Sequence, residues 1–170
     1  MSKAAGSKAG LKAIRGDELP LSGASFLALA RAVLGRGFSL RFRAKGFSMA
    51  PFIRDGDVLT VVPKGGDLAR PGDIVAFVHS SDGRLTVHRI VAFRGGEATI
   101  KGDNVSMPDG TFPEGSILGF VRRVERDGRT VQPGFGVMGR LIASLSRHRV
   151  WEGLLSGARA VARPLRGRRR

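Results

Sequence analysis

Three separated segments of this chain carry the atoms that acyl transfer needs. Ser48 lies in Gly46-Phe47-Ser48-Met49-Ala50-Pro51, with a glycine two residues before it and a proline three after, where a sharp turn can expose a hydroxyl. Serine is a weak nucleophile alone; it requires a base within hydrogen-bond reach and donors for the oxyanion. Taken by itself Ser48 is an ordinary turn serine. His88 changes that reading, because it stands inside the strand-like run Leu85-Thr86-Val87-His88-Arg89-Ile90-Val91. A strand is a rigid support, and an imidazole can take a proton from a serine hydroxyl and return it to a leaving amine. The third segment, Ile100-Lys101-Gly102-Asp103-Asn104, with Asp109 downstream, offers two carboxylates that could orient the imidazole. Asp103 follows a glycine directly after a strand end and is the preferred partner. Asp109, past Pro108, is the alternative.

The elements that must hold these groups follow from periodicity. Residues 22–34 place Phe26, Leu29, Ala30 and Val33 at three- and four-residue steps, and Gly35 and Gly37 stop the pattern, which predicts a short amphipathic helix. From residue 38 to 124 short β-type runs alternate with Gly, Asp and Pro: 39–43, 58–62, 73–79, 85–93 and 117–124. Pro63, Pro71 and Pro113 fall at their boundaries, where a missing N–H costs little. After Gln132-Pro133-Gly134 the helical period returns, with Val137, Met138, Leu141, Ile142 and Leu145, then Val150, Trp151, Leu154, Leu155, Ala158 and Val161. The expected fold is mainly β: a compact antiparallel domain with an N-terminal helix and C-terminal amphipathic helices whose apolar stripes pack on it.

Composition removes several other chemistries. There is no cysteine, hence no disulfide, thiolate ligand or cysteine nucleophile, and His79, His88 and His148 lack close ligand spacing for a metal. No cofactor is expected. The net charge of +15 is concentrated toward one end, where nine arginines stand against Glu152 alone between Val137 and Arg170. Such an end suits an anionic membrane surface, reached through the C-terminal basic helices, or serves as a solvated tail. Nucleic acid is a poor partner, with no tyrosine and one tryptophan to stack on bases. No stretch reaches the roughly 18 to 20 uncharged apolar residues of a membrane span. Residues 1–10 lack the apolar segment of a secretory signal. A cytoplasmic protein, at most peripheral at a membrane, is the expectation.

The blocks Gly46-Phe47-Ser48-Met49-Ala50-Pro51 with Asp55-Gly56-Asp57, Pro71-Gly72-Asp73-Ile74-Val75, His88-Arg89-Ile90-Val91, Lys101-Gly102-Asp103-Asn104 and Ile117-Leu118-Gly119-Phe120-Val121 occur in this order. Together they resemble signal peptidase I and its superfamily, which includes the self-cleaving repressors of the DNA-damage response. The resemblance spans roughly residues 38–124. It implies a β-rich fold with Ser48 as nucleophile. Bacterial members use a lysine base; the endoplasmic-reticulum and archaeal branch uses histidine, and His88 stands at that place. In that branch an aspartate of the GDN region completes the site, which matches Asp103 or Asp109. Many bacterial members have a hydroxyl residue two before the nucleophile; here it is Gly46, so the oxyanion falls to the backbone N–H groups of Phe47 and Ser48. Met49 and Phe52 pack under the nucleophile turn or line a substrate pocket.

The resulting division is a tail over residues 1–20, a helix over 21–37, a peptidase domain over 38–132 and a basic helical region over 133–170. The implied activity is a serine endopeptidase acting on a polypeptide substrate. The competing reading is a non-catalytic regulatory, membrane-binding or nucleic-acid-binding module of the same fold. Asp57 and Asp73 read as turn caps, His79 and His148 as surface residues, and Lys101 as a weaker candidate base than His88.

Overall fold

The computed structural model describes residues 22–79 and 82–147. The tail over residues 1–20, His148, the apolar positions from Val150 to Val161 and most of the arginine cluster lie outside them.

The first helix, α1, spans Gly23–Gly35. Ser22 caps it, its Oγ accepting the N–H of Ser25 and so satisfying one of the donors that a helix start leaves open. Its inner face, with Ala30 and Leu34 buried and Phe26 against Phe42 at 5.1 Å, lies on the sheet.

Eight strands follow: β1 (Leu40–Arg43), β2 (Val58–Pro63), β3 (Ile74–Val78), β4 (Leu85–Arg94), β5 (Glu97–Lys101), β6 (Gly110–Pro113), β7 (Ile117–Arg126) and β8 (Arg129–Val131). They form one sheet in the order β1-β2-β7-β3-β4-β5-β6, with β8 on β7, and every pairing is antiparallel. The mainly β expectation holds. Side chains alternate between two cores as the strand period requires. On β3, Ile74 and Ala76 join Leu59, Val61, Val124 and the α1 residues, whereas Val75 and Phe77 join Ile90, Ile100, Phe112 and Phe120.

The five strand-like runs of the sequence correspond to β1, β2, β3, β4 and β7. Three further strands were not among them. β5 has only Ala98 and Ile100 as apolar residues, and the four residues of β6 include a glycine and a proline that read as a turn. β6 lies at the sheet edge, where proline is tolerated.

The second helix, α2, spans Gly136–Arg147 and packs against β4. Ile142 and Ala143 are buried there, while Val137, Met138 and Leu141 face outward. Gly139 is required by the close approach: a Cβ on it would lie 2.7 Å from the Gly72 carbonyl oxygen and 2.5 Å from that of Gly134. No described helix is long and apolar enough to cross a membrane.

Candidate active site

The turn that carries Ser48 bridges β1 and β2, and its ends are tied together before the serine is positioned. Ala44 N–H donates to the Asp57 carbonyl at 2.7 Å and Gly56 N–H to the Ala44 carbonyl at 2.9 Å. The Asp55 carboxylate accepts the Gly46 N–H at 2.7 Å, which fixes the approach to the serine. From below, Met49 and Ile53 are buried in the core that α1 covers, joined by an Ile53 N–H to Met49 carbonyl bond of 2.9 Å. Met49 is thus a core residue rather than the wall of an open pocket. Phe52 is half-buried, with the guanidinium of Arg89 5.6 Å from its ring centre.

His88 comes from β4, with its ring 6.3 Å from that of Phe77. Its Nε2 lies 2.8 Å from Ser48 Oγ, and its Nδ1 lies 2.5 Å from Asp109 Oδ2. An ionised carboxylate only accepts, so Nδ1 carries the hydrogen that it donates to Asp109. In the neutral ring this leaves Nε2 as the acceptor of the Ser48 hydroxyl hydrogen. The histidine is buried, which shields this chain of hydrogen bonds from water.

Asp103 does not face the histidine. Both of its oxygens accept from Arg89, from Nε and Nη2 at 2.8 Å each. This corrects the preference for Asp103 as the orienting carboxylate. The reason is strand alternation: Arg89 follows His88 and projects to the opposite face, and its Cα partner on β5 is Lys101, two residues before Asp103. Asp103 therefore meets the arginine, not the imidazole. Arg89 has five N–H donors and all are used, the other three on the carbonyls of Gly72, Gly134 and Pro133 at 2.9 Å. The pair is fully buried and ties β4 and β5 to the start of α2. Lys101, the weaker candidate base, lies on the Arg89 face as well and does not reach Ser48.

Two residues of the β5–β6 loop complete the geometry without having been singled out from the sequence. Asn104 clamps the turn that carries Ser48, its backbone N–H donating to the Ser48 carbonyl at 2.7 Å and its Nδ2 to the Phe47 carbonyl at 3.0 Å. Gly102 lets the loop approach: a Cβ there would lie 2.8 Å from the Ser48 carbonyl oxygen and 3.1 Å from His88 Nε2. The signal was present in Lys101-Gly102-Asp103-Asn104, where a small residue precedes two polar ones, but the contact is long-range. Asp109 is set by its own N–H, which donates to the Ile100 carbonyl at 2.9 Å. The backbone N–H groups of Phe47 and Ser48 donate to no acceptor among the described residues, which leaves them available in the Ser48 turn.

Asp57 and Asp73 are turn caps, as their sequence context suggests. Asp73 accepts the Arg70 N–H at 2.9 Å, and burial raises its pKa despite that bond. Asp57 is buried, which pushes its pKa up, but the paired hydrogen bonds from Arg126 and the N–H of Arg54 outweigh burial and hold it below the ordinary value. His79 is partly covered, near the rings of Phe77 and Phe112. Among the described residues no group of three His, Asp or Glu side chains converges as a metal site.

A family model described as Peptidase S24-like matches residues 6–122. No curated protein matches the chain. The matched range contains Ser48, His88, Asp103 and Asp109 and the strands that carry them. On a match over more than half its length, the chain belongs to the Peptidase S24-like family, within the superfamily of signal peptidase I, and its fold is of the serine-peptidase type.

Proposed function

We propose that this protein is a serine endopeptidase in which Ser48 is the nucleophile, His88 the general base and acid, and Asp109 the carboxylate that orients the imidazole. The observation that carries the reading is the unbroken sequence of contacts from Ser48 Oγ to His88 Nε2 at 2.8 Å and from His88 Nδ1 to Asp109 Oδ2 at 2.5 Å. Nucleophile, base and orienting group in hydrogen-bond reach are the parts of a serine acyl-transfer site.

In this mechanism His88 Nε2 takes the Ser48 hydroxyl proton as Oγ attacks the carbonyl carbon of the scissile bond. The carbonyl oxygen becomes an oxyanion, stabilised by the N–H groups of Phe47 and Ser48. The imidazolium is stabilised by Asp109 and then gives its proton to the leaving amine as the C–N bond breaks. The acyl group stays on Ser48 as an ester. A water, deprotonated by His88, attacks the ester, and the C–O bond breaks to release the new carboxyl end and regenerate the serine. Every proton is moved by His88, so neither a metal nor an organic cofactor enters. The family resemblance suggests small residues such as Ala or Gly before the scissile bond.

The test is to incubate the purified full-length protein with a proteome-derived peptide mixture and identify new N-termini by mass spectrometry, alongside Ser48→Ala. Cleavages made by the wild type and missing with the variant are expected. A wild-type protein that makes none, or the same set from both proteins, would contradict the proposal and favour a non-catalytic member of the fold.

A further inference from the structure

The β4–β5–β6 ribbon has a second face, opposite the one that carries His88, Ile100 and Gly102. On it lies a cleft of about 590 Å³, walled on one side by the end of α2 and on another by the loop that leads to Asp109. That volume falls within the range of small-molecule sites, about 300–1,000 Å³. Lys101 lines the cleft and is only 3% exposed, yet it has no hydrogen-bond or ion-pair partner among the described residues. Ser146, 4% exposed, lines it from α2, and its Oγ has no hydrogen-bond partner either. The neighbouring carboxylate of Asp103 is held by Arg89 through both oxygens and makes no ion pair with Lys101 among the described residues.

A hydroxyl buried without a partner leaves its desolvation uncompensated, an arrangement that folded proteins rarely keep. A ligand supplying an acceptor would satisfy Ser146 and pair with the Lys101 ammonium beside it. Thr99 and Thr111, opposed across β5 and β6, add hydroxyls to the cleft, while Val91 and Met107 add apolar surface. Arg94 and Glu97, exposed cross-strand neighbours that also line the cleft, carry opposite charges that sum to zero. Lys101 is therefore the net charge of the interior. One positive charge among hydroxyls matches a monoanion, and the apolar surface matches an organic substituent beside it.

We propose that this cleft is a binding site for a carboxylate bearing an apolar substituent, such as the C-terminal residue of a peptide, with Lys101 holding the carboxylate and Ser146 donating to it. The site is separate from Ser48 and stands whether or not the protein cleaves peptides. It is tested by titrating the isotope-labelled full-length protein with N-acetylleucine, N-acetylleucinamide and acetate while following backbone amide signals. N-acetylleucine should shift Thr99, Thr111 and Ser146 saturably, and the amide, which lacks the charge, should bind at least about tenfold more weakly. Lys101→Met should weaken N-acetylleucine by about tenfold or more, and Ser146→Ala by several-fold. Should Lys101→Met not fold, the comparison of acid with amide on the wild type decides alone. Equal binding of acid and amide, or no shift with millimolar N-acetylleucine, would overturn the proposal. So would undiminished binding by a folded Lys101→Met protein. Acetate binding as tightly as N-acetylleucine would overturn the part assigned to the apolar walls.

Discussion

Asp103 gives both of its carboxylate oxygens to Arg89, at 2.8 Å each, and so leaves the imidazole next in sequence to that arginine to Asp109. The two aspartates then have separable duties, one in holding the fold and one at the candidate site. Asp103→Ala leaves a fully buried guanidinium unpaired and should cost about 3–5 kcal/mol of stability. Asp109→Asn should change stability by less than about 1 kcal/mol but lower peptidase turnover on the order of 10²- to 10⁴-fold, since an amide no longer fixes the tautomer. Thermal unfolding and turnover measured on both variants separate the two roles. A stable, inactive Asp103→Ala together with an active Asp109→Asn would reverse the assignment.

Gly102 sets how closely the β5–β6 loop approaches Ser48 and His88. In Gly102→Ala the new methyl group must push away the Ser48 carbonyl, the Val105 side chain or the imidazole, because each lies within about 3 Å of it. Overpacking of this kind costs about 1–3 kcal/mol. The expected outcome is a folded protein with a modestly lower melting temperature and turnover reduced by more than tenfold, the sensitivity expected when reacting groups move by a fraction of an ångström. Unchanged turnover would show that the loop does not need to sit so near.

The Asp57–Arg126 pair makes stability depend on acid. The folded-state pKa of Asp57 lies below its unfolded value, so the carboxylate stabilises the fold above about pH 4 and that contribution is lost as pH falls through the folded value. Asp57→Asn should be less stable than the wild type at pH 7. The gap should narrow as pH drops below about 4. Denaturant unfolding at pH 7 and pH 3 checks this, and a gap independent of pH would show that the charge on Asp57 does not matter.

The two sides of α2 differ in energetic weight. Ile142→Ala removes buried methyl groups from the contact with β4 and should destabilise by about 2–5 kcal/mol. Leu141→Ala, one residue earlier on the exposed side, should change stability by no more than about 0.5 kcal/mol. Comparable losses from the two substitutions would mean that the outer face is covered in solution.

Much of this was legible in the sequence, and the exceptions have physical causes. α1 and the strands β1, β2, β3, β4 and β7 are local patterns of apolar residues and turn formers, so residue order alone places them. The short strands β5, β6 and β8 gain their definition from neighbours: Thr99 and Thr111 belong to a sheet because they face each other across it, not because of their type. Ser48 and His88 could be paired from the motif order, but 40 residues of chain separate them, and only the fold brings them within 2.8 Å. The choice between Asp103 and Asp109 depended on which side of β4 each carboxylate meets. Proximity to a strand end favoured Asp103; alternation gave that position to Arg89. Lys101 reads from the sequence as a weaker candidate base, whereas the cleft that it lines includes Ser146 of α2, 45 residues away in the chain, and only the fold brings the two together.

The most direct test of the Ser48–His88–Asp109 reading is labelling of the purified protein with a fluorophosphonate, followed by peptide mapping of the adduct, because only an activated serine reacts quickly. A single phosphonylated residue, Ser48, is expected, with the labelling rate lowered on the order of 10²- to 10⁴-fold in His88→Ala and sharply in Asp109→Asn. An unlabelled wild-type protein, an adduct on another serine, or Ser48 labelling that proceeds as fast in His88→Ala would contradict it.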